Sequence, residues 1–295
     1  MPVRRAWVIR INVSKLRLKQ RPYFCRGRII LRCLVLIVAA MTFPGCKIEN
    51  YFLYFPNSSV PSEESLKVCN INPWPSSLRD YRGFVSVNGM GHTNGTIIVF
   101  HGNGGTAADR VFYVKELSAL GYRVILAEYP MYGGRKGELG EKAFVTDANE
   151  TVRLAFEQFG QPLFLLGESL GCGVAAAVAK ETSVKVDGII LITPWDTLAS
   201  VAQSKVPFLP VRLLLTDKYD SIGNLAGFKG RIAVVGAGRD EVIPIKHAND
   251  LYRSISSATK RMWIIKEGGH NDWPMHTNTS WWKEISDFVR NNDNG

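Results

Sequence analysis

Residues 162–180 read PLFLLGESLGCGVAAAVAK, and the fold is decided by how this stretch is read. Phe164, Leu165 and Leu166 make the short apolar run of a buried parallel strand. Gly167-Glu168-Ser169-Leu170-Gly171 follows, then a helix-forming run of small residues from Cys172 to Ala179. A serine with glycine at both second neighbours, between a strand and a helix, is the signature of a nucleophile elbow. The turn is so tight that a side chain at 167 or 171 would collide with the adjoining strand or helix. The helix that follows aims its first N–H groups and its positive dipole end at the serine, where negative charge develops in acyl transfer. The chain holds 27 glycines, so the five-letter pattern alone is weak. The flanking strand and alanine-rich helix give it meaning.

Outward from this stretch, strand-like and helix-like runs alternate. Phe84–Val87, Thr96–Phe100, Tyr122–Glu128, Gly188–Thr193, Ile232–Gly236 and Met262–Lys266 read as strands. Helices are expected over Val111–Leu120, Glu141–Phe159, His247–Ser257 and Trp281–Asn291. Such alternation implies an α/β fold with a doubly wound, mostly parallel sheet in a single domain. Its ligand site should lie beyond the carboxyl ends of the strands.

Those ends carry suitable chemistry. After Thr96–Phe100 comes His101-Gly102-Asn103-Gly104-Gly105, where glycine lets the backbone approach a reacting carbonyl. The N–H of Asn103 can pair with the N–H of Leu170 as an oxyanion hole. A phosphate-cradling loop is disfavoured because the P-loop lysine and spacing are missing. After Ile232–Gly236 comes Gly238-Arg239-Asp240-Glu241, and a carboxylate here could orient an imidazole. Asp240 is favoured; Glu241 is its neighbour and Asp196 follows a different strand. After Met262–Lys266 comes Gly268-Gly269-His270, which places His270 to take the proton of Ser169. The order Ser169, Asp240, His270 is the Ser…acid…His order of one superfamily. His92, His101, His247 and His276 lack that placement, and His101 is read as a support of its loop.

Taken together, HGNGG, EYPMYGG, GESLG, PWDTL, GAGRDEVIP and GGHND make the region from Thr96 to about Trp273 resemble the α/β-hydrolase superfamily. The resemblance is to its small serine-hydrolase branch of esterases, lysophospholipase-like enzymes and protein depalmitoylases. It implies an eight-stranded, mostly parallel sheet and a Ser–His–Asp acyl-transfer site. Such relatives carry a substrate-covering cap after the position of Trp195. Here the interval to Ile232 is short and includes the apolar stretch Val206–Leu215, so a minimal cap and an accessible, partly apolar acyl pocket are expected. The expected reaction is hydrolysis of a carboxylic ester or thioester through an acyl-serine. A lipid-anchored binding module without catalysis and an acyltransferase are the rival readings. The substrate is a small-molecule or lipid-like acyl ester; the acyl chain, leaving group and oligomeric state are left open.

The formal charge of +10 suggests a polyanion partner until it is located. Residues 1–32 hold ten basic side chains and no acid, and the remaining 26 basic residues balance 26 acidic ones. The body therefore gives no case for nucleic acid. The basic leader runs into the apolar stretch Leu34–Phe43, shorter than the roughly 20 residues that span a bilayer. A basic region followed by an apolar run of this length reads as an export signal. Phe43-Pro44-Gly45-Cys46 resembles the lipobox of bacterial lipoproteins, which implies lipidation at Cys46 and anchorage in the bacterial cell envelope; ordinary signal cleavage and an uncleaved membrane anchor are the alternatives. Residues 1–46 are thus expected as leader, 47–79 as a tether rich in Asn, Ser and Pro, and 80–295 as the catalytic domain. The cluster Tyr51–Phe55 within the tether could pack on the domain or lie among lipid headgroups. Cys69 and Cys172 are expected as free thiols, and neither a metal site nor a cofactor is indicated.

Overall fold

The structure is a computed structural model that describes residues 49–87, 94–256 and 259–290. The leader, with Cys46, lies outside the described residues. The strands are β1 (Phe55–Pro56), β2 (Ile71–Trp74), β3 (Gly83–Ser86), β4 (Thr96–Phe100), β5 (Gly104–Gly105), β6 (Arg123–Ala127), β7 (Leu163–Glu168), β8 (Gly188–Ile192), β9 (Arg231–Ala237) and β10 (Lys260–Ile265). All but β1 and β5 form one eight-stranded sheet in the order β10-β9-β8-β7-β4-β6-β3-β2. The run from β10 to β6 is parallel; β3 joins β6 and β2 joins β3 antiparallel. The helices are α1 (Asn50–Leu53), α2 (Glu63–Val68), α3 (Val111–Ser118), α4 (Glu141–Phe159), α5 (Leu170–Glu181), α6 (Leu198–Lys205), α7 (Val211–Leu214), α8 (Ser221–Leu225), α9 (Lys246–Ser254) and α10 (Thr279–Arg290).

The pleat sorts each central strand between two apolar layers. In β4, Ile98 and Phe100 join a layer with Phe144 and Val152 of α4 and Val174 and Val178 of α5. Ile97 and Val99 face the other way, into a layer with Tyr113 and Leu117 of α3 and Trp282 and Ile285 of α10. All five β4 residues are buried, as expected of a strand covered on both faces. In α4 the buried residues Phe144, Val145, Ala148, Thr151, Val152 and Ala155 follow helical spacing. Gly160 closes that helix at φ +71°. Cys69 and Cys172 are both free thiols, as the sequence suggested.

Residues 49–79 differ from the expected tether. They supply α1, β1, α2 and the sheet's edge strand β2, with Tyr54, Leu66, Ile71 and Trp74 buried. The Asn-Ser-Pro composition disguised this because each element is short and marginal without its neighbours. Pro73 sits within β2, which an edge position tolerates because one side of the strand needs no ladder donor. Ser62 caps α2 by accepting from the Ser65 N–H at 3.2 Å. The cluster Tyr51–Phe55 divides: Tyr54 packs into the core while Tyr51, Phe52 and Phe55 face solvent.

Between β8 and β9, α6, α7 and α8 form the short cap. Its apolar stretch is also split, with Val211 buried and Phe208 97% exposed. The cap's end is pinned to the body. Glu141, at the start of α4, accepts the N–H groups of Lys218 and Tyr219 at 2.6 and 2.9 Å. Burial beside Asp217 pushes its carboxyl above the usual range, although those N–H groups pull the other way.

Candidate active site

The elbow comes first. Ser169 adopts φ +53°, ψ −114°, a conformation that a residue with a side chain holds only under constraint from its surroundings. The constraint is visible in the backbone, where the Ser169 N–H donates to the Ile192 carbonyl of β8 at 2.9 Å. A Cβ on Gly171 would lie 1.9 Å from the Phe100 carbonyl oxygen. One on Gly167 would lie 2.5 Å from the Gly171 carbonyl oxygen. Both glycines are required by close backbone approach. From Leu170 to Val178 every residue of α5 is buried. Small side chains there let the helix sit against the sheet, with its N-terminus directly behind the serine.

Three separate strand ends converge on this turn. His270 Nε2 lies 3.0 Å from Ser169 Oγ, and His270 Nδ1 lies 2.8 Å from Asp240 Oδ2. Asp240 follows β9 and His270 follows β10, and these strands pair in register from Lys260 with Ile232 to Ile265 with Ala237. The Asp240 carboxylate is held by the backbone, its Oδ1 accepting from Val242 N at 2.9 Å and Ile243 N at 2.6 Å. Its side chain is 1% exposed and that of His270 9%. The Glu241 carboxylate accepts the His270 backbone N–H at 3.5 Å. Asp196 is directed elsewhere, pairing with His247 Nδ1 at 2.9 Å in a separate buried contact.

Leu170 directly follows the serine, and Asn103 lies in the loop after β4. Leu170 heads α5, so its N–H is among those that find no partner inside the helix. Asn103 is gripped from three sides. Its carbonyl accepts from Phe55 N at 2.9 Å and from Tyr132 Oη at 2.6 Å, and its Nδ2 donates to the Leu53 carbonyl at 2.9 Å. Next to it β5 pairs in parallel with β1, Phe55 with Gly104 and Pro56 with Gly105. His101 has both ring nitrogens engaged, with the Gly102 carbonyl at 2.7 Å and Glu128 Oε1 at 2.9 Å. It braces its loop and has no ring nitrogen left for proton transfer.

Two contacts were not anticipated. Glu168, the residue before the serine, accepts from Arg110 Nε at 3.1 Å and from Tyr113 Oη at 2.9 Å. Arg110 Nη2 also donates to the Gly104 carbonyl at 3.3 Å, which joins the elbow to the Asn103 loop. Burial opposes the Arg110 charge, but the adjacent Glu168 carboxylate outweighs it and holds the guanidinium above its ordinary range. The other missed contribution is the grip of residues 53–56 on Asn103. A readable signal existed in the Ser62-Glu63-Glu64 helix start, which marks this region as folded.

The sheet order, the elbow and the strand-end loops together define the α/β-hydrolase fold. Residues 91–218 match the family model of the S33 serine aminopeptidases. An uncharacterized protein of Mycobacterium tuberculosis is 27% identical over 254 residues, covering 84% of this chain and 89% of that protein. A lysophosphatidylserine lipase of Danio rerio is 28% identical over 176 residues, 53% of this chain and 46% of the lipase. Among solved structures, an esterase of Pyrococcus furiosus superposes with a TM-score of 0.61 at 15% identity, covering 80% of this chain and 98% of the esterase.

Proposed function

We propose that this chain hydrolyses a carboxylic ester or thioester through an acyl-serine. The observation that carries the reading is the unbroken hydrogen-bonded line from Asp240 through His270 to Ser169. In this reading Ser169 Oγ attacks the acyl carbon while His270 Nε2 takes its proton, and the C–O or C–S bond to the leaving group breaks as His270 returns that proton. Water then attacks the acyl-serine by the same route, releasing acid and restoring the hydroxyl. Asp240 keeps the Nδ1–H tautomer and stabilises the imidazolium while it lasts. The N–H groups of Asn103 and Leu170 receive the developing oxyanion, with the positive end of α5 behind them.

Likeness to a lysophosphatidylserine lipase and to an esterase supports an acyl ester substrate, and the exposed apolar surface of the cap favours a lipid-like one. The basic leader, the apolar run and Cys46 support an exported chain tethered through a lipid on that cysteine. The test is turnover of p-nitrophenyl esters of graded chain length by wild type and Ser169→Ala. The variant should lose about 10³- to 10⁶-fold in kcat, the span left by removing a nucleophile that acts in concert with its base. Wild-type turnover in the variant would refute the assignment.

A further inference from the structure

Large apolar side chains left in solvent are distributed unevenly. Tyr51 and Phe52 of α1 are each 79% exposed, Phe208 and Leu213 of the cap 97% and 84%, and Met275, just after His270, 85%. Val68, Phe156 and Ile264 are exposed singly on other elements, which is ordinary for a folded surface. The first group belongs to segments bonded to, or continuous with, the loops that carry the proposed site residues. Leu53 and Phe55 grip Asn103; the cap end binds α1 through Glu49, whose Oε2 accepts from Thr216 N at 2.7 Å; Lys205 Nζ donates to the Glu241 carbonyl at 3.1 Å beside Asp240. Apolar side chains concentrated on one rim mark an interaction surface.

Charge and connectivity say what would cover it. From Leu198 to Leu225 the cap's exposed charges are Lys205, Arg212, Lys218 and Asp220, a net of one to two positive charges with Asp217 buried. An apolar cap with an excess of exposed basic residues matches an anionic lipid surface. The leader, with its ten basic residues and apolar run, joins the described chain at Glu49, the residue that ties α1 to the cap. Cys46 precedes Glu49 by three residues, roughly 10 Å of fully extended chain. An anchor there would keep this rim, rather than the opposite end of the sheet, within reach of the bilayer.

We propose that the rim formed by α1, the cap and the Trp273–His276 turn seats on an anionic phospholipid surface, and that the acyl ester reaching Ser169 is drawn from that surface. The proposal rests on the hydrolase reading above. The full chain is assayed on a water-soluble p-nitrophenyl ester and on a long-chain fluorogenic ester carried in phosphatidylcholine vesicles, with and without phosphatidylglycerol. Two variants are compared, Phe208→Ser with Leu213→Ser, and Tyr51→Ser with Phe52→Ser; all four side chains face solvent, so folding is spared. The leader is intact throughout, so any change reports on the rim. Turnover of the soluble ester should stay within about twofold of wild type, while turnover of the vesicle-borne ester should fall at least about tenfold, more steeply with phosphatidylglycerol present. Unchanged vesicle turnover overturns the proposal. An equal loss on both esters does so as well, as does light scattering that shows the wild type to be a dimer which the variants dissociate. Wild type inactive on every soluble ester would instead sink the hydrolase reading itself.

Discussion

Ser169 and Asn103, both assigned to the proposed oxyanion-forming site, are held in place by different means. The serine is fixed by the sheet: β7 delivers it, β8 accepts its N–H, and α5 packs so closely that positions 167 and 171 have no room for a Cβ. Asn103 is fixed from outside the sheet, by Leu53, Phe55 and Tyr132. Support from the sheet cannot be removed without unfolding the domain, whereas support from a peripheral segment can be loosened bond by bond. Changes around Ser169 and its partners should therefore be all-or-none, and changes around Asn103 graded.

The largest effect expected short of losing the nucleophile is at Asp240. Asp240→Asn retains the shape but leaves His270 in the wrong tautomer, so kcat should fall by about 10⁴-fold while the melting temperature moves little. Steady-state kinetics beside a thermal melt would check this, and a loss confined to KM would contradict it. Asn103→Ala removes only the Nδ2 bond to Leu53 and leaves the two backbone grips in place. Losing one hydrogen bond worth about 1 kcal/mol should lower kcat about fivefold with KM nearly unchanged. A loss as large as that at Asp240 would erase the distinction between sheet-borne and segment-borne support.

The smallest effect concerns the bond between that segment and the cap. Tyr54 Oη donates to Asp217 Oδ2 at 2.5 Å and lies 3.0 Å from Tyr219 Oη. Burial first, then the neighbouring Tyr219 and Asp217, push the Tyr54 phenol far above its ordinary value of 10.0. The folded protein keeps this proton where the unfolded chain gives it up, so the stability is intact below that pH and declines as pH rises beyond it. Tyr54→Phe should cost about 1 kcal/mol near neutrality, since Asp217 loses a donor, yet lose stability less steeply above pH of about 10. Urea melts at several alkaline pH values would show parallel curves if the phenol played no such part.

The same contrast explains what could be read before the structure. β4, β7, β8 and β9 are continuous apolar runs that need both faces covered, and α4 shows its spacing plainly, so the parallel core and the strand-end residues Ser169, Asp240 and His270 were legible. Residues 49–79 were not. α1 is four residues long, β1 two, and β2 contains a proline, so each acquires its structure from distant partners such as Asn103 and Asp217. Pairing of Arg110 with Glu168 was hidden for the same reason, because 58 residues separate them and neither has a recognisable local spacing.

The proposed hydrolysis depends on the hydroxyl at 169 being an activated nucleophile, and a fluorophosphonate probe tests that directly. Intact mass followed by peptide mapping should give one adduct, on Ser169, absent from Ser169→Ala and formed far more slowly by a folded His270→Ala. A wild-type chain that stays unmodified, or carries the adduct on another serine, would contradict it.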